Sequence, residues 1–430
     1  TALNRFGLGA SLQDIKAVRG RPFDWVRDQI RKPARTPGLK TNMSAGQYLS
    51  NFQSQQKSRD KNKMKEFQKM GQEGFQKALY SKFALGVSSP NAFYERLVNF
   101  WANHFTVSLR GNGILAGLVS HYENDAIRPN IHGIFVDMLL AVAHHPAMLV
   151  YLDNIRSFGP GSMANRFRGL GLNENFAREI LELHTLGVDG GYTQKDVIAL
   201  ARILTGWSVD NGKFTFRQRG HEPGPKYLLG RKYDEGYDEG IRALKDLASH
   251  PSTARHVCFK LARHFISDTP DPGDVEALSR TFEDTNGDLT RLYETLMMRE
   301  RCWDQPASKF KSPQDFFTST LRTLDLTQDI YIRNAIPSLG LLNQLPYYAP
   351  SPAGWPDTED AWLSPDALKS RMEIAHALSQ RIPGPQQKLD HVLDVIGSVS
   401  TDDNYALIHR APSLREGLAL SLASPAHQRR

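Results

Sequence analysis

Asn173-Glu174-Asn175-Phe176-Ala177-Arg178-Glu179-Ile180-Leu181-Glu182-Leu183-His184-Thr185-Leu186-Gly187 is the stretch whose reading decides the fold. At about 100° per residue, Phe176, Ile180, Leu183 and His184 share an apolar face with Ala177 and Leu181. Asn175, Arg178, Glu179 and Glu182 share the opposite arc. A segment with two such faces is a helix lying on a core. Asn173 or Asn175 can cap its start, Glu174 suits the positive end of the helix dipole, and Gly187 is placed to stop it in a left-handed cap. Thr193 opens a second helix, with Asp196 completing a variant of the capping box. Val197, Leu200, Ala201 and Leu204 give that helix its buried stripe, and Gly206 ends it before Trp207. The unit is a tight helical hairpin.

The polar arc has two readings. Glu174, Arg178 and Glu182 at i,i+4 spacing make a ladder on a solvated surface. Glu179 stands outside that ladder, one turn from Asn175 and beside Glu182, where paired carboxylates suit acid–base work. A metal ion shared by Glu179 and Glu182 is the alternative; no cofactor is predicted. His184 points to the apolar face and reads as a core histidine. Tyr192, in the turn between the helices, joins the candidate proton-transfer groups.

Working outward, the helix containing Tyr94-Glu95-Arg96-Leu97-Val98-Asn99-Phe100-Trp101-Ala102-Asn103-His104-Phe105 carries a polar stripe of Glu95, Arg96, Asn99 and Asn103. His104 lies at the edge of the stripe, where it either reaches a pocket or packs on Trp101. After Trp207 the period changes. Lys213–Arg217 alternates like a strand, and Lys226–Gly230 is expected to pair with it. Between them, Pro223 and Pro225 stiffen a loop that holds His221 and Lys226 in place; a plain hairpin connector is the competing reading. The aromatic loop Ala349-Pro350-Ser351-Pro352-Ala353-Gly354-Trp355-Pro356 offers Trp355, like Trp207, for stacking on a sugar ring, with buried anchors as the alternative.

The remaining segments are helical. A long polar helix, with room for breaks, is expected from about Tyr48 to Leu85, after a connector at 32–44. A helix at Ala254–Phe265 is basic on one side, and Ser312-Pro313-Gln314-Asp315 is a helix start. His145-Pro146 and His250-Pro251 read as punctuation before helices, and residues 155–172 as a Gly/Ser/Arg loop able to fold over a site. No internal repeat of fixed period is present. The expected class is therefore all-α, a multi-helix array or helical-hairpin assembly with a small β-hairpin insertion near 208–232. Residues 1–430 form one large helical domain, with an N-terminal helical extension (1–90) and a C-terminal helical subdomain (312–430).

A chain of 430 residues, 40% hydrophobic, can bury a large core. Its formal charge of +7 and isoelectric point near 9.2 favour acidic partners. The basic run Lys57–Lys65 reads as a solvated helix start, and no nucleic-acid signature accompanies it. No apolar stretch is long enough for a membrane span. Thr1 falls inside a helical pattern, so any signal peptide is expected to be missing from this sequence. Cys258 and Cys302 have no metal-ligand spacing.

The block from Asn173 to Trp207, with 100–105, His145-Pro146-Ala147-Met148, His221–Lys226 and Ser351–Pro356, resembles the bacterial family known as domain of unknown function 1800, over nearly the whole chain. The resemblance implies an exported protein, commonly with a twin-arginine or other signal, hence an extracytoplasmic location. It also implies a frequent gene neighbour of alkaline-phosphatase/sulfatase-like type. It implies no reaction and no catalytic residue.

Three functions follow. The first is a lyase or hydrolase acting on extracellular or cell-surface carbohydrate, including acidic glycan. Here Glu179, His104, His221, Glu182 and Tyr192 are the catalytic candidates, and Asn103, Asn175, Arg178, Lys226, Trp207 and Trp355 the substrate ligands. Asn and His neutralise a uronate in a lyase, whereas two carboxylates share the work in a hydrolase; the argument is analogy from residue types. The second is a binding or assembly protein that partners the sulfatase-like neighbour. The third is a metal-dependent hydrolase or oxidase using Glu179 and Glu182 with His104 or His221.

Overall fold

The computed structural model describes residues 1–31, 37–41, 43–58, 60–168, 171–304, 308–396 and 401–430. Parts of two expected loops (32–36, 42 and 169–170) and Arg59 of the basic run lie outside the described residues.

The main core is built on the helix Ala92–His104. Its Phe93, Leu97, Val98, Phe100 and Trp101 are fully buried, as the period of the sequence demands. The Trp101 indole N–H donates to the Tyr293 hydroxyl at 2.7 Å, and that hydroxyl donates to the Ile131 carbonyl at 2.9 Å. A buried aromatic with a polar edge needs such a partner. Phe6, near the start of the chain, packs against Phe93, Phe265 and Trp303. The fully buried Arg96 donates to the carbonyls of Asn4 and Gly7. A second cluster gathers Phe316, Leu321, Leu324, Leu339, Val392, Leu418 and Leu422. One helix joins the two: Lys61–Ser88 gives Phe67, Phe75 and Leu79 to the first core and Phe83 and Val87 to the second.

The protein is mainly α-helical, with two small two-stranded antiparallel sheets. Their pairing corrects the expected hairpin. Trp207–Asp210 pairs with Lys213–Phe216, and Lys226–Leu228 with Arg231–Tyr233. Each turn has two residues of positive φ: Asn211-Gly212 (46° and 74°) and Leu229-Gly230 (48° and 75°). The Asn-Gly pair is a strong short-range hairpin signal, so Lys213–Phe216 pairs with the segment just before it rather than with 226–230.

The polar helix has one of the breaks its sequence allows: it is Ala45–Ser58 and Lys61–Ser88, and Asp60 caps the backbone N–H groups of Asn62 and Lys63. The central helix is α only over Asn175–Glu179 and then winds as a π-helix over Ile180–His184. Thr185 Oγ1 donates to the Ile180 carbonyl at 2.6 Å, and Gly187, at φ 85°, ends the segment. The Thr193–Asp196 capping box forms. His145 and His250 are N-caps whose Nδ1 atoms accept from Ala147 and Ser252, so each His-Pro pair starts a helix. Cys258 and Cys302 are buried free thiols. No described helix is long and apolar enough to cross a membrane.

Candidate functional site

The polar stripe of the helix Ala92–His104 faces a pocket, not open water. Arg96, Asn99, Asn103 and Thr106 line it, together with Trp355, Asp357 and Trp362 from one segment and Ser312 and Asp315 from another. The pocket holds about 100 Å³, space on the order of seven to ten waters, which is the scale of a single sugar ring.

The aromatic loop closing this pocket is fastened along its length. Leu109 N–H donates to the Tyr347 carbonyl, Arg110 Nε to that of Tyr348, and Ser108 Oγ to that of Ala349. Asn103 holds the far end by both ends of its amide. Its Oδ1 accepts from Trp355 N–H at 2.7 Å, and its Nδ2 donates to the Trp355 carbonyl at 2.8 Å. Asn103 thus positions Trp355 within the pocket wall. Gly354 makes the approach possible. Its φ is 84°, and a Cβ there would lie 2.6 Å from both the carbonyl oxygen and Oδ1 of Asn103. Gly354→Ala is expected to lose about 1–2 kcal/mol from the left-handed backbone alone, plus the clash. The measurement is a Tm shift accompanied by a change in Trp355 fluorescence; an unchanged Tm would show that the loop is not held this way.

His264 ends the helix Pro251–Phe265 and turns into the pocket. Its Nδ1–H donates to Asp357 Oδ1 at 2.9 Å, while Nε2 is buried and has no partner among the described residues. Burial, with Arg430 and Arg96 nearby, pushes the imidazole down to about 4 against the pull of Asp357. Burial works to raise Asp357, but His264, Lys309 and Lys260 outweigh it and hold the carboxyl at about 2. At neutral pH the pair is a carboxylate orienting a neutral imidazole, with the free lone pair on Nε2. This is the arrangement of a base fixed by its neighbour.

The walls are charged. Asp315 sits 3.3 Å from Arg96 Nη1 and 2.9 Å from Arg430 Nε. Despite its burial, those cations hold its carboxyl well below the usual range. Opposite, Glu123 accepts from Lys82 at 2.6 Å, from Tyr347 at 2.9 Å and from Arg128, which also grips Glu95 through two bonds of 3.0 and 2.8 Å.

The other residues singled out from the sequence lie elsewhere. His104 is buried among Trp101, Phe105 and Phe135, and its Nε2 donates to the His184 carbonyl at 3.2 Å. Trp207 is fully buried and stacks on His144 with ring centroids 4.6 Å apart, leaving no face for a sugar. His221 Nδ1 donates to the Thr205 carbonyl, and its Nε2 accepts from Gly236 N–H and stands 3.2 Å from Lys226 Nζ. That pair ties the proline loop to the following turn. Arg178 and Gln194 both bond Glu174 and each other, which forms the first rung of the expected ladder; Glu182 bonds Tyr192 instead of Arg178. Asn175 is exposed, and its N–H donates to Asn173 Oδ1.

Glu179, Glu182 and Tyr192 do come together. The Tyr192 hydroxyl bonds Glu182, and burial plus the charge of Glu182 raises Glu179 to about 7. None of these three lines the pocket beside Trp355. Since an ordinary glutamate ionises near 4.5, the folded state holds this proton more tightly than the unfolded one. Stability contributed by the neutral form is complete below about 4.5 and declines as pH rises towards 7. Glu179→Gln should flatten the Tm-versus-pH curve over that window; parallel curves for variant and wild type would contradict the shift.

Sequence reading noted the stripe of Arg96 and Asn99, the basic face bearing His264 and the helix start at Asp315, but assigned none of them to the site. Asp357, directly after the aromatic loop, and Arg430 went unremarked. Among the described residues, no three His, Cys, Asp or Glu side chains converge as metal ligands. The family model described as "Protein of unknown function (DUF1800)" matches residues 1–429. No curated protein and no solved structure matches the chain.

Proposed function

The chain belongs to the DUF1800 family, and we propose that it is an enzyme that moves a proton on one ring-sized unit of an extracytoplasmic carbohydrate. His264 is the base and Asp357 the group that orients it. The observation that carries this reading is the buried Nε2 of His264, which has no partner among the described residues and faces the pocket. A buried polar atom without a partner is costly, and a bound substrate would supply one. Trp355 and Trp362, with ring centroids 6.2 Å apart, give that pocket an aromatic wall of the kind sugars stack on.

Lyase chemistry fits better than two-carboxylate hydrolysis. A glycosidase needs one carboxyl that keeps its proton near neutral pH. Asp315 and Asp357, the carboxyls beside His264, are both held ionised, whereas a neutral imidazole is ready to accept a proton. The extracytoplasmic location rests on the resemblance to exported proteins.

The test is a turnover screen against acidic and neutral glycosides that reads both reducing ends and unsaturated products. Wild type and Glu179→Gln should form product at similar rates, and His264→Gln should not. Loss in Glu179→Gln with retention in His264→Gln would move the site to the helix 175–184. A second reading, a binding or assembly protein, is favoured by an open groove of about 780 Å³ lined by Phe52, Met64, Phe67, Ile114 and Tyr348. Silence across the whole panel from folded protein would favour it.

A further inference from the structure

Buried positive charge gathers on one side of the pocket, where Arg96 and Arg430 are part of the lining and Lys311 and Arg371 lie outside it. Arg96, Lys311, Arg371 and Arg430 are each 1–3% exposed, and all four act on one buried carboxylate, Asp315. Arg96 is consumed: it donates to two backbone carbonyls and to Asp315. Arg371 is also engaged, by Gln428 and by the Lys311 carbonyl. Arg430 is different. Its Nε approaches Asp315, but its buried Nη1 has no partner among the described residues, and it lines the pocket. Lys311 stands behind it, driven down to about 7 by burial, with Arg96, Arg430 and Arg371 adding to the shift. Burial is the larger cause of that shift, and the neighbouring guanidiniums add to it against the pull of Asp315.

Burying cations in excess is unfavourable unless an anion joins them, and a guanidinium with a free N–H edge is suited to an oxyanion. We infer that the Arg430 side of the pocket is a binding site for one oxyanion carried by the substrate, a carboxylate or a sulfate on the sugar. The inference rests on reading the pocket as a substrate site, and gives that substrate its class: an acidic sugar rather than a neutral one. His264, Asp315 and Arg430 line the same pocket, so the anion and the base share one chamber.

The experiment measures binding apart from turnover. Calorimetric titrations use the full chain carrying His264→Gln, so that no ligand is consumed. Four probes are compared: a methyl glucuronide, a sulfated monosaccharide, a neutral methyl glucoside and inorganic sulfate. The acidic sugars should bind at least tenfold more tightly than the neutral one. Adding Arg430→Gln should abolish that preference, bringing the acidic sugars down to the affinity of the neutral one. Lys311→Met, which removes charge behind the wall, should weaken acidic binding several-fold. It also serves as the check should Arg430→Gln fold poorly.

Equal affinity for neutral and acidic sugars, or a preference untouched by Arg430→Gln, overturns the inference. So does tight binding of inorganic sulfate with no added affinity from the sugar, because the site would then be for a free ion. Turnover of neutral glycosides without acidic preference would leave the proposed function standing and remove only this inference. Selective acidic binding with no turnover by wild type on any panel member would do the reverse.

Discussion

His264→Gln is expected to lower kcat by about 10²–10⁴-fold, the usual worth of a positioned general base, with little change in Tm. Glutamine can still donate its amide N–H to Asp357 and occupy the same space, so the loop 349–357 keeps its seat. What it cannot do is accept a proton. Asp357→Asn should cost less, because the imidazole remains but its tautomer is no longer fixed by a carboxylate. The pH profile separates a base from a packing residue. Only neutral His264 works, and burial has moved its titration to about 4, so kcat/KM should stay level from neutrality down to about pH 5 and fall below it. An acid limb centred near 6.5, the ordinary histidine value, would mean that the working base is a different and more exposed group.

The second large effect concerns the pocket's opposite wall. Arg128→Met should destabilise the protein by about 3–5 kcal/mol, the range for removing one partner from a buried ion pair. Arg128 bonds Glu95 and Glu123 together, and both glutamates are almost wholly buried. Glu123 would retain Lys82 and Tyr347, so the loss falls chiefly on Glu95. The check is chemical denaturation of Arg128→Met alongside Arg128→Met/Glu95→Gln. The double variant should recover a substantial part of the loss, since it removes the stranded charge. If both are equally unstable, the arginine acts by filling space.

The fold was legible because apolar period is a local property. Phe93, Leu97, Val98, Phe100 and Trp101 announce their buried face, and caps such as Ser312 and Thr193 mark where helices begin. The site was legible only where it shared that local grammar. Asn103 and Trp355 were named as ligands; both line the pocket, one of them by clamping the other's backbone. Asp315 looked like a capping acid, and its N–H does bond Ser312, but its carboxylate turns inward to Arg96 and Arg430. Sequence alone shows the first role and hides the second, because the partners lie more than a hundred residues away in either direction. His264 posed the same difficulty: one basic residue among several on a helix face, distinguished only by Asp357 across the chamber. The helical wheel of 173–187 assumes a constant turn per residue, which the π segment at Ile180–His184 does not keep. Its faces hold all the same: Phe176, Ala177, Ile180, Leu181 and His184 are buried, and only Leu183 of the expected apolar face is half-buried.

The guanidinium of Arg96 holds the carbonyls of Asn4 and Gly7 and, through Asp315, meets Arg430. Contacts between such distant parts of a chain are the slow ones to form. During synthesis at about 5–20 residues per second, Arg430 emerges on the order of ten seconds after Asp315. A nascent or still unfolded chain therefore carries its imidazole without the chamber around it. The pocket wall is therefore complete only once Asp315 and Arg430 have met.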